Sequence, residues 1–293
     1  MGLNTSPVSL LQQLSHITQH RFSYCLNPYQ HGSEPPPSSL LRFGNDIRKG
    51  RRRFQSTPLM SSPDRPNYFL NLLDMTVAGQ RLHLPPGTFA LRQDGTGGTI
   101  IDSGTGLTFI TQTAYPRLIS AFQNYFDHRG FQRVHIPEFD LCYSFRGNHT
   151  FHDHASMTFH FERADFTVQA DYVYLPMEDD NAFCVALQPT PPQQRTVIGA
   201  INQGNTRFIY DAAAHQLLFI AENCRNDAIS TIPVQDPSKP LDHSNNVQQS
   251  KTVSKDQQSL TVRYGLITLD HYRPIRKKEQ HSFLREKATS TFP

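Results

Sequence analysis

Between residues 113 and 128 apolar side chains recur at every third and fourth position: Tyr115, Leu118, Ile119, Phe122, Tyr125 and Phe126. That spacing predicts one long helix with a buried stripe, ending near Gly130. Earlier, Ser6 as cap and Pro7 in the first turn predict a short helix over 6–18, with Leu10, Leu11, Leu14 and Ile17 on its apolar face. Most of the remaining apolar residues come in short runs bounded by Gly, Pro, Asn and Asp. These predict strands at 22–26, 40–44, 68–77, 81–84, 99–101, 107–111, 157–161, 166–169, 172–175, 183–187, 196–198, 206–210 and 216–220. The pattern is mainly β, with one long helix and a short N-terminal one. It fades after Cys224, which places a domain over 1–224. Residues 226–259 are rich in Ser, Asn, Gln, Asp and Lys and predict no core; 260–272 could form a strand or hairpin. The segment 225–293 is therefore expected to be a largely disordered tail.

Composition sharpens the picture in three places. Twenty-one Pro and 16 Gly in 293 residues fit a chain of many turns, and no apolar run is long enough to span a bilayer. The net charge of +3 is too small to argue for nucleic acid, and it is concentrated in the tail, where 11 Lys and Arg face 7 Asp and Glu. The N-terminus shows no basic start, apolar stretch and cleavage site, so no signal peptide is read there, and a chain translated as written is expected to stay in the cytoplasm. Cys25, Cys142, Cys184 and Cys224 are widely spaced, which suggests two disulfides with three possible pairings, against the alternative of four reduced thiols.

The stretch with chemistry in it is Thr99-Ile100-Ile101-Asp102-Ser103-Gly104-Thr105-Gly106. An apolar strand delivers a carboxylate into a turn of Ser and Gly, and a second strand leads away. A single carboxylate, with a pKa near 4, is a weak base at neutral pH and no acid. Two held about 3 Å apart share one proton, so that one accepts a proton from water while the other protonates a carbonyl oxygen. Gly104 would let the backbone turn and approach a partner loop, and Ser103 and Thr105 offer hydroxyls to fix the carboxylate. Taken alone, the tetrapeptide also fits an ordinary Asx turn between strands.

Its surroundings carry more. Ser9-Leu10-Leu11-Gln12-Gln13-Leu14, Arg21-Phe22-Ser23-Tyr24-Cys25-Leu26, Leu41-Arg42-Phe43-Gly44 and Pro85-Pro86-Gly87-Thr88-Phe89 precede the loop. Asp140-Leu141-Cys142-Tyr143, Val197-Ile198-Gly199 and Arg207-Phe208-Ile209-Tyr210-Asp211 follow it. In this order and spacing, residues 2–224 resemble the C-terminal lobe of plant pepsin-like aspartic endopeptidases of the nepenthesin branch, and are also similar to the C-terminal domain of plant xylanase inhibitors. The resemblance implies a single lobe of the pepsin-like acid-protease β-barrel fold. It implies that Asp102 is the family's second catalytic aspartate, that Ser103 braces the two active-site loops, and that Thr105 hydrogen-bonds the carboxylate. Gly104 belongs to the same loop, and Gly199 to the apolar-apolar-Gly segment beneath it. It further implies the pairs Cys25–Cys224 and Cys142–Cys184, an extracellular or vacuolar location, and a polypeptide substrate once an N-terminal lobe completes the site. No cofactor is implied.

The family's first catalytic aspartate and its flap tyrosine belong to that N-terminal lobe, and this sequence contains neither; Asp94-Gly95-Thr96 has the wrong order. The chain as written is thus expected to be inactive by itself. A non-catalytic binding module or a truncated gene product are the alternatives, and a lone lobe is expected to expose the apolar face that meets its partner. Lesser signals read as bland. His149, His152, His154 and His160 match no metal-site spacing, so no metal is assigned. The run Arg48-Lys49-Gly50-Arg51-Arg52-Arg53 reads as a solvated hairpin tip. Asn4 and Asn148 open N-glycosylation sequons that matter only in a secreted chain.

Overall fold

The computed structural model describes residues 2–28, 39–62, 65–145 and 151–229. Helices α1 (Leu10–Gln13) and α2 (Ser15–Thr18) precede strands β1 (Arg21–Cys25) and β2 (Leu41–Phe43). Next come β3 (Gln55–Ser62), β4 (Arg65–Leu70), β5 (Leu72–Val77) and β6 (Gln80–Arg81). β7 (Thr99–Ile101) and β8 (Thr108–Ile110) flank the Asp102 loop and lead into α3 (Tyr115–Asp127). β9 (Arg133–Ile136), β10 (Phe139–Ser144), β11 (Met157–Phe161) and β12 (Ala164–Val168) follow. The chain continues through β13 (Tyr174–Met177), β14 (Ala182–Val185), β15 (Leu187–Pro189), β16 (Thr196–Ile198), β17 (Thr206–Asp211) and β18 (Gln216–Ala221), then α4 (Arg225–Ile229).

The strands form a ten-stranded sheet in the order β15-β8-β16-β7-β4-β3-β18-β17-β1-β2, and two four-stranded sheets, β13-β14-β10-β9 and β12-β11-β5-β6. The mainly β fold is thus as the sequence pattern predicts. Helix α3 turns Tyr115, Leu118, Phe122 and Phe126 into the core. Phe126 is fully buried against the rings of Tyr143 (4.7 Å), Phe131 (5.2 Å), Phe183 (5.3 Å) and Tyr174 (5.5 Å). Burying one such side chain stabilises by about 1.5–3 kcal/mol.

Several predicted elements come out differently. The helix over 6–18 is two short helices, and its cap is Ser9, whose Oγ accepts from the Gln12 amide at 3.3 Å. Ser6 and Pro7 lie in a turn in which the Ser6 carbonyl accepts from the Ser9 amide. Leu14 leaves helical geometry and restarts the coil, and the Thr18 hydroxyl ties the second piece back to the Leu11 carbonyl. The run 68–77 breaks at Asn71, whose carbonyl accepts from the Glu162 amide, so β4 and β5 join different sheets. The run 183–187 likewise breaks at Ala186: β14 pairs with β10, and β15 runs parallel to β8. β3 went unpredicted because its sequence is polar and contains Pro58; pairing with β18 on one side and β4 on the other holds it.

Disulfides join Cys25 to Cys224 and Cys142 to Cys184. The second links cross-strand partners of β10 and β14. The packed structure continues past Cys224. In α4, Asp227 binds Arg42 Nη2 at 2.8 Å and Arg207 Nη2 at 2.9 Å, and Arg207, only 3% exposed, also binds Glu222. The expected disordered tail beyond residue 229, with its 260–272 segment, lies outside the described residues. Among the described residues the exposed large hydrophobic side chains are Val8 and Leu73, isolated rather than gathered into the expected apolar face. Also among them, no helix is long and apolar enough to cross a membrane.

Candidate active site

Asp102 sits where β7 ends. β7 is held by parallel pairing with β16 and by a contact between Thr99 and Leu70 of β4. The same register carries into the loop: the Asp102 amide donates to the Ile198 carbonyl at 3.0 Å. The carboxylate is then fixed at both oxygens. Oδ1 accepts from the Gly104 amide at 2.8 Å, and Oδ2 accepts from the Thr105 hydroxyl at 2.7 Å. Hydrogen bonds to an ionised oxygen are about twice as strong as neutral ones, so these two orient the group firmly. Asp102, Ser103 and Thr105 remain partly exposed and Gly104 is exposed.

The sequence reading gave Gly104 a turning role. Its backbone conformation is in fact open to any residue; the constraint is space, since a Cβ there would lie 3.2 Å from Asp102 Oδ1. Gly199 is held by a stricter limit. A Cβ on it would meet the Leu107 carbonyl oxygen at 2.2 Å and that of Gly106 at 2.7 Å. This close approach lets the segment after β16 underpin the loop: Ala200 N donates to Thr105 O at 2.7 Å, and Ile201 N to Gly106 O at 3.1 Å. Gly199 N donates to Thr108 Oγ1 at 2.9 Å, a buried contact that sequence reasoning missed. Asp102, Thr105 and Gly199 are thus brought together. Ser103 finds no side-chain hydrogen-bond partner among the described residues.

Sequence reasoning also missed what lies behind the loop. Tyr24 and Tyr210 are buried, and burial first, with the nearby Asp102 charge adding to it, holds both hydroxyls above the ordinary tyrosine value. Neighbouring Tyr68 is pushed up to about 12 by burial, and its hydroxyl has no hydrogen-bond partner among the described residues. Tyr24 and Tyr210 stood in the motif pieces; no signal marked Tyr68.

The remaining candidates lie elsewhere. Asn4 uses its Oδ1 to accept from the Ser6 amide, and Asn148 lies outside the described residues. His160 bridges Asp165 (2.7 Å) and Thr76 (2.6 Å), His152 faces Asp171, and His154 packs among Phe126, Phe131 and Phe183. His149 lies outside the described residues, among which no three His, Cys, Asp or Glu gather as metal ligands. Arg48, Arg51, Arg52 and Arg53 are exposed in the connection to β3, and Arg52 turns back onto Glu222 at 2.6 Å. A cavity of about 190 Å³, lined by Arg92, Gly98, Thr111 and Gln193 among others, opens at the far end of β7 and β8 from Asp102 and does not include it.

Residues 67–221 match the family described as xylanase inhibitor C-terminal. The chain is 32% identical over 230 residues to Aspartyl protease family protein 2 of Arabidopsis thaliana, covering 76% of this chain and 45% of that protein. It is 30% identical over 233 residues to Aspartic proteinase nepenthesin-2 of Nepenthes gracilis, covering 76% and 49%. The chain thus spans about half the length of these relatives. Among solved structures, edgp superposes with a TM-score of 0.64 at 18% identity, over 77% of this chain and 60% of that one. Basic 7S globulin from soybean gives 0.60 at 17%, over 77% and 57%. By its matched residues and its fold the chain belongs to the xylanase inhibitor C-terminal family, a lobe of pepsin-like architecture that it shares with plant aspartic proteases of the nepenthesin kind.

Proposed function

We propose that residues 1–224, together with the short helix that follows, form one lobe of an aspartic endopeptidase and that Asp102 is its half of a water-activating pair. The observation that carries this reading is the carboxylate itself, fixed at both oxygens by Gly104 and Thr105 yet still reached by solvent. A structural Asx turn needs only one of those bonds. A second aspartate, brought by an N-terminal lobe, would share a proton with Asp102. The ionised member would draw a proton from water as the oxygen attacks a peptide carbonyl, and the protonated member would protonate the carbonyl oxygen. Ser103, which has no side-chain hydrogen-bond partner among the described residues, would brace the facing loop. The substrate class is polypeptide. Two disulfides fit maturation in an oxidising compartment, extracellular or vacuolar.

The test is to join the chain, fused or in trans, to a lobe carrying an Asp-Thr-Gly-Ser loop and to follow cleavage of a denatured protein at acid pH. Asp102→Asn keeps the shape and one accepting oxygen but cannot ionise, and is expected to lower the rate by about 10²–10⁴-fold. Cleavage that survives the substitution would sink the assignment.

The family description favours a second reading, a binding module that blocks glycosidases. An inhibitor has no need of a carboxylate fixed this way, which counts against it. Recovery of a microbial xylanase in a pull-down with the unpaired chain would reverse that preference.

A further inference from the structure

We propose that Tyr24, Gln203 and Tyr210 are positioning residues for Asp102, forming a buried two-armed hydrogen-bond clamp that holds both polar atoms of the Ile101–Asp102 peptide from behind. The clamp can be followed bond by bond. The carbonyl of that peptide, Ile101 O, accepts from the Tyr210 hydroxyl at 3.3 Å. Its amide, Asp102 N, donates to Ile198 O at 3.0 Å. Ile198 O also accepts from Gln203 Nε2 at 2.8 Å, and Gln203 Oε1 accepts from the Tyr24 hydroxyl at 2.8 Å. The Tyr24 and Tyr210 rings lie side by side, centroids 6.2 Å apart, and each hydroxyl spends its one proton on its own acceptor.

Four separate parts of the chain supply the members. Tyr24 comes from β1, Tyr210 from β17, and Gln203 from the 3-10 helix Ile201–Gln203. Ile198 ends β16. β1 and β17 are paired antiparallel, with Phe22 opposite Tyr210, which sets the two tyrosines side by side.

Packing alone does not call for these hydroxyls. Phe22 stacks on Tyr210 with ring centres 4.5 Å apart, so a phenyl ring is already accepted in the cluster. A buried hydroxyl costs free energy unless it is paired, and a buried glutamine has more polar atoms to satisfy still. Here Tyr210 bonds the peptide that carries Asp102 directly, and Tyr24 and Gln203 reach it through Ile198 O. Both tyrosines stay protonated, and so remain donors, through the acid and neutral range. The clamp therefore does not slacken at the pH where a carboxylate pair works. Its catalytic consequence rests on the peptidase reading above; its geometry does not.

The test uses the full chain. Amide hydrogen exchange at Asp102 and the ¹³C resonance of its carboxyl are followed by NMR in the wild type, Tyr24→Phe, Tyr210→Phe and Gln203→Leu. Tyr174→Phe is the control: a buried hydroxyl, bonded to Ala155 O at 2.8 Å, that is not part of the clamp. The tyrosine variants each delete a single oxygen and keep the packing, so they report even if Gln203→Leu misfolds. Loss of one buried bond in the clamp is expected to speed exchange at Asp102 by about tenfold, with a shifted carboxyl resonance. Tyr174→Phe should leave both unchanged. Unchanged Asp102 exchange in Tyr24→Phe and Tyr210→Phe, or equal acceleration in the control, would overturn the proposal. In the lobe-complemented protein the same variants should lower kcat with KM unaltered. If the complemented wild type cleaves nothing, the peptidase reading fails while the exchange data still decide the clamp.

Discussion

Replacing Gly199 by Ala is the sharpest test of how the loop is held. The added Cβ would stand 2.2 Å from Leu107 O and 2.7 Å from Gly106 O, both backbone atoms that cannot rotate away. Carbon and carbonyl oxygen normally stay about 3.3 Å or more apart, so the two segments must separate by about 1 Å. Three bonds cross that seam: Gly199 N to Thr108 Oγ1 at 2.9 Å, Ala200 N to Thr105 O at 2.7 Å and Ile201 N to Gly106 O at 3.1 Å. Stretching them past hydrogen-bonding range at about 1 kcal/mol each, with some penalty for unpaired buried groups, costs about 3–4 kcal/mol. For a lobe of this size that is a fall in Tm of about 6–15 °C. Differential scanning calorimetry on Gly199→Ala and Gly79→Ala gives the answer. Gly79 has a φ of +77° and open space around it, so its substitution carries only the left-handed backbone cost of about 1–2 kcal/mol. If Gly199→Ala melts no lower than Gly79→Ala, the close-approach argument is wrong.

Other expectations follow from the same geometry. Arg207→Met removes the cation that Glu222 and Asp227 share but leaves each a second arginine, Arg52 and Arg42, and should cost about 1.5–3 kcal/mol in urea unfolding; a loss under about 0.5 kcal/mol would mean that Arg42, Arg52 and water replace it fully. Loop entropy ranks the disulfides: Cys25–Cys224, with a separation of 199 residues, should contribute about 5 kcal/mol and Cys142–Cys184, separated by 42, about 4 kcal/mol. Double alanine variants that reverse this order would show that local strand pairing, rather than chain entropy, governs them. Burial would raise the Asp74 and Glu222 carboxyls. Arg81 with the Met75 and Leu84 amides at Asp74, and Arg207 with Arg52 at Glu222, more than offset it and hold both below their ordinary 3.8 and 4.5. A lowered folded-state value stabilises above the unfolded pKa and is lost as pH falls through it. Tm should therefore hold from neutrality to about pH 5 and drop below about pH 4, and Arg81→Gln should flatten that drop; a pH-independent Tm would contradict the sign.

The sequence by itself determined what depends on neighbours along the chain. The three-and-four spacing of Tyr115, Leu118, Phe122 and Phe126 specifies α3 and its buried face, because helical periodicity is local. The run from Thr99 to Gly106 specifies a strand, a turn and a carboxylate held by residues two and three positions later, again a local matter. Short apolar runs specify a mainly β lobe. Tertiary structure decided what depends on partners distant in sequence. The run 68–77 is apolar on both sides of Asn71 and reads as one strand, yet Asn71 splits it because the Glu162 amide, far along the chain, takes its carbonyl. β3 is polar and contains Pro58, yet it is a strand because β18 and β4 supply both edges. Nothing around Gln203 marks it as part of the site. It becomes one only when the end of β16 brings Ile198 O between its amide and that of Asp102. Buried hydrogen-bonding groups must find partners, and which partners are within reach is fixed by how the sheets stack, not by the order of residues.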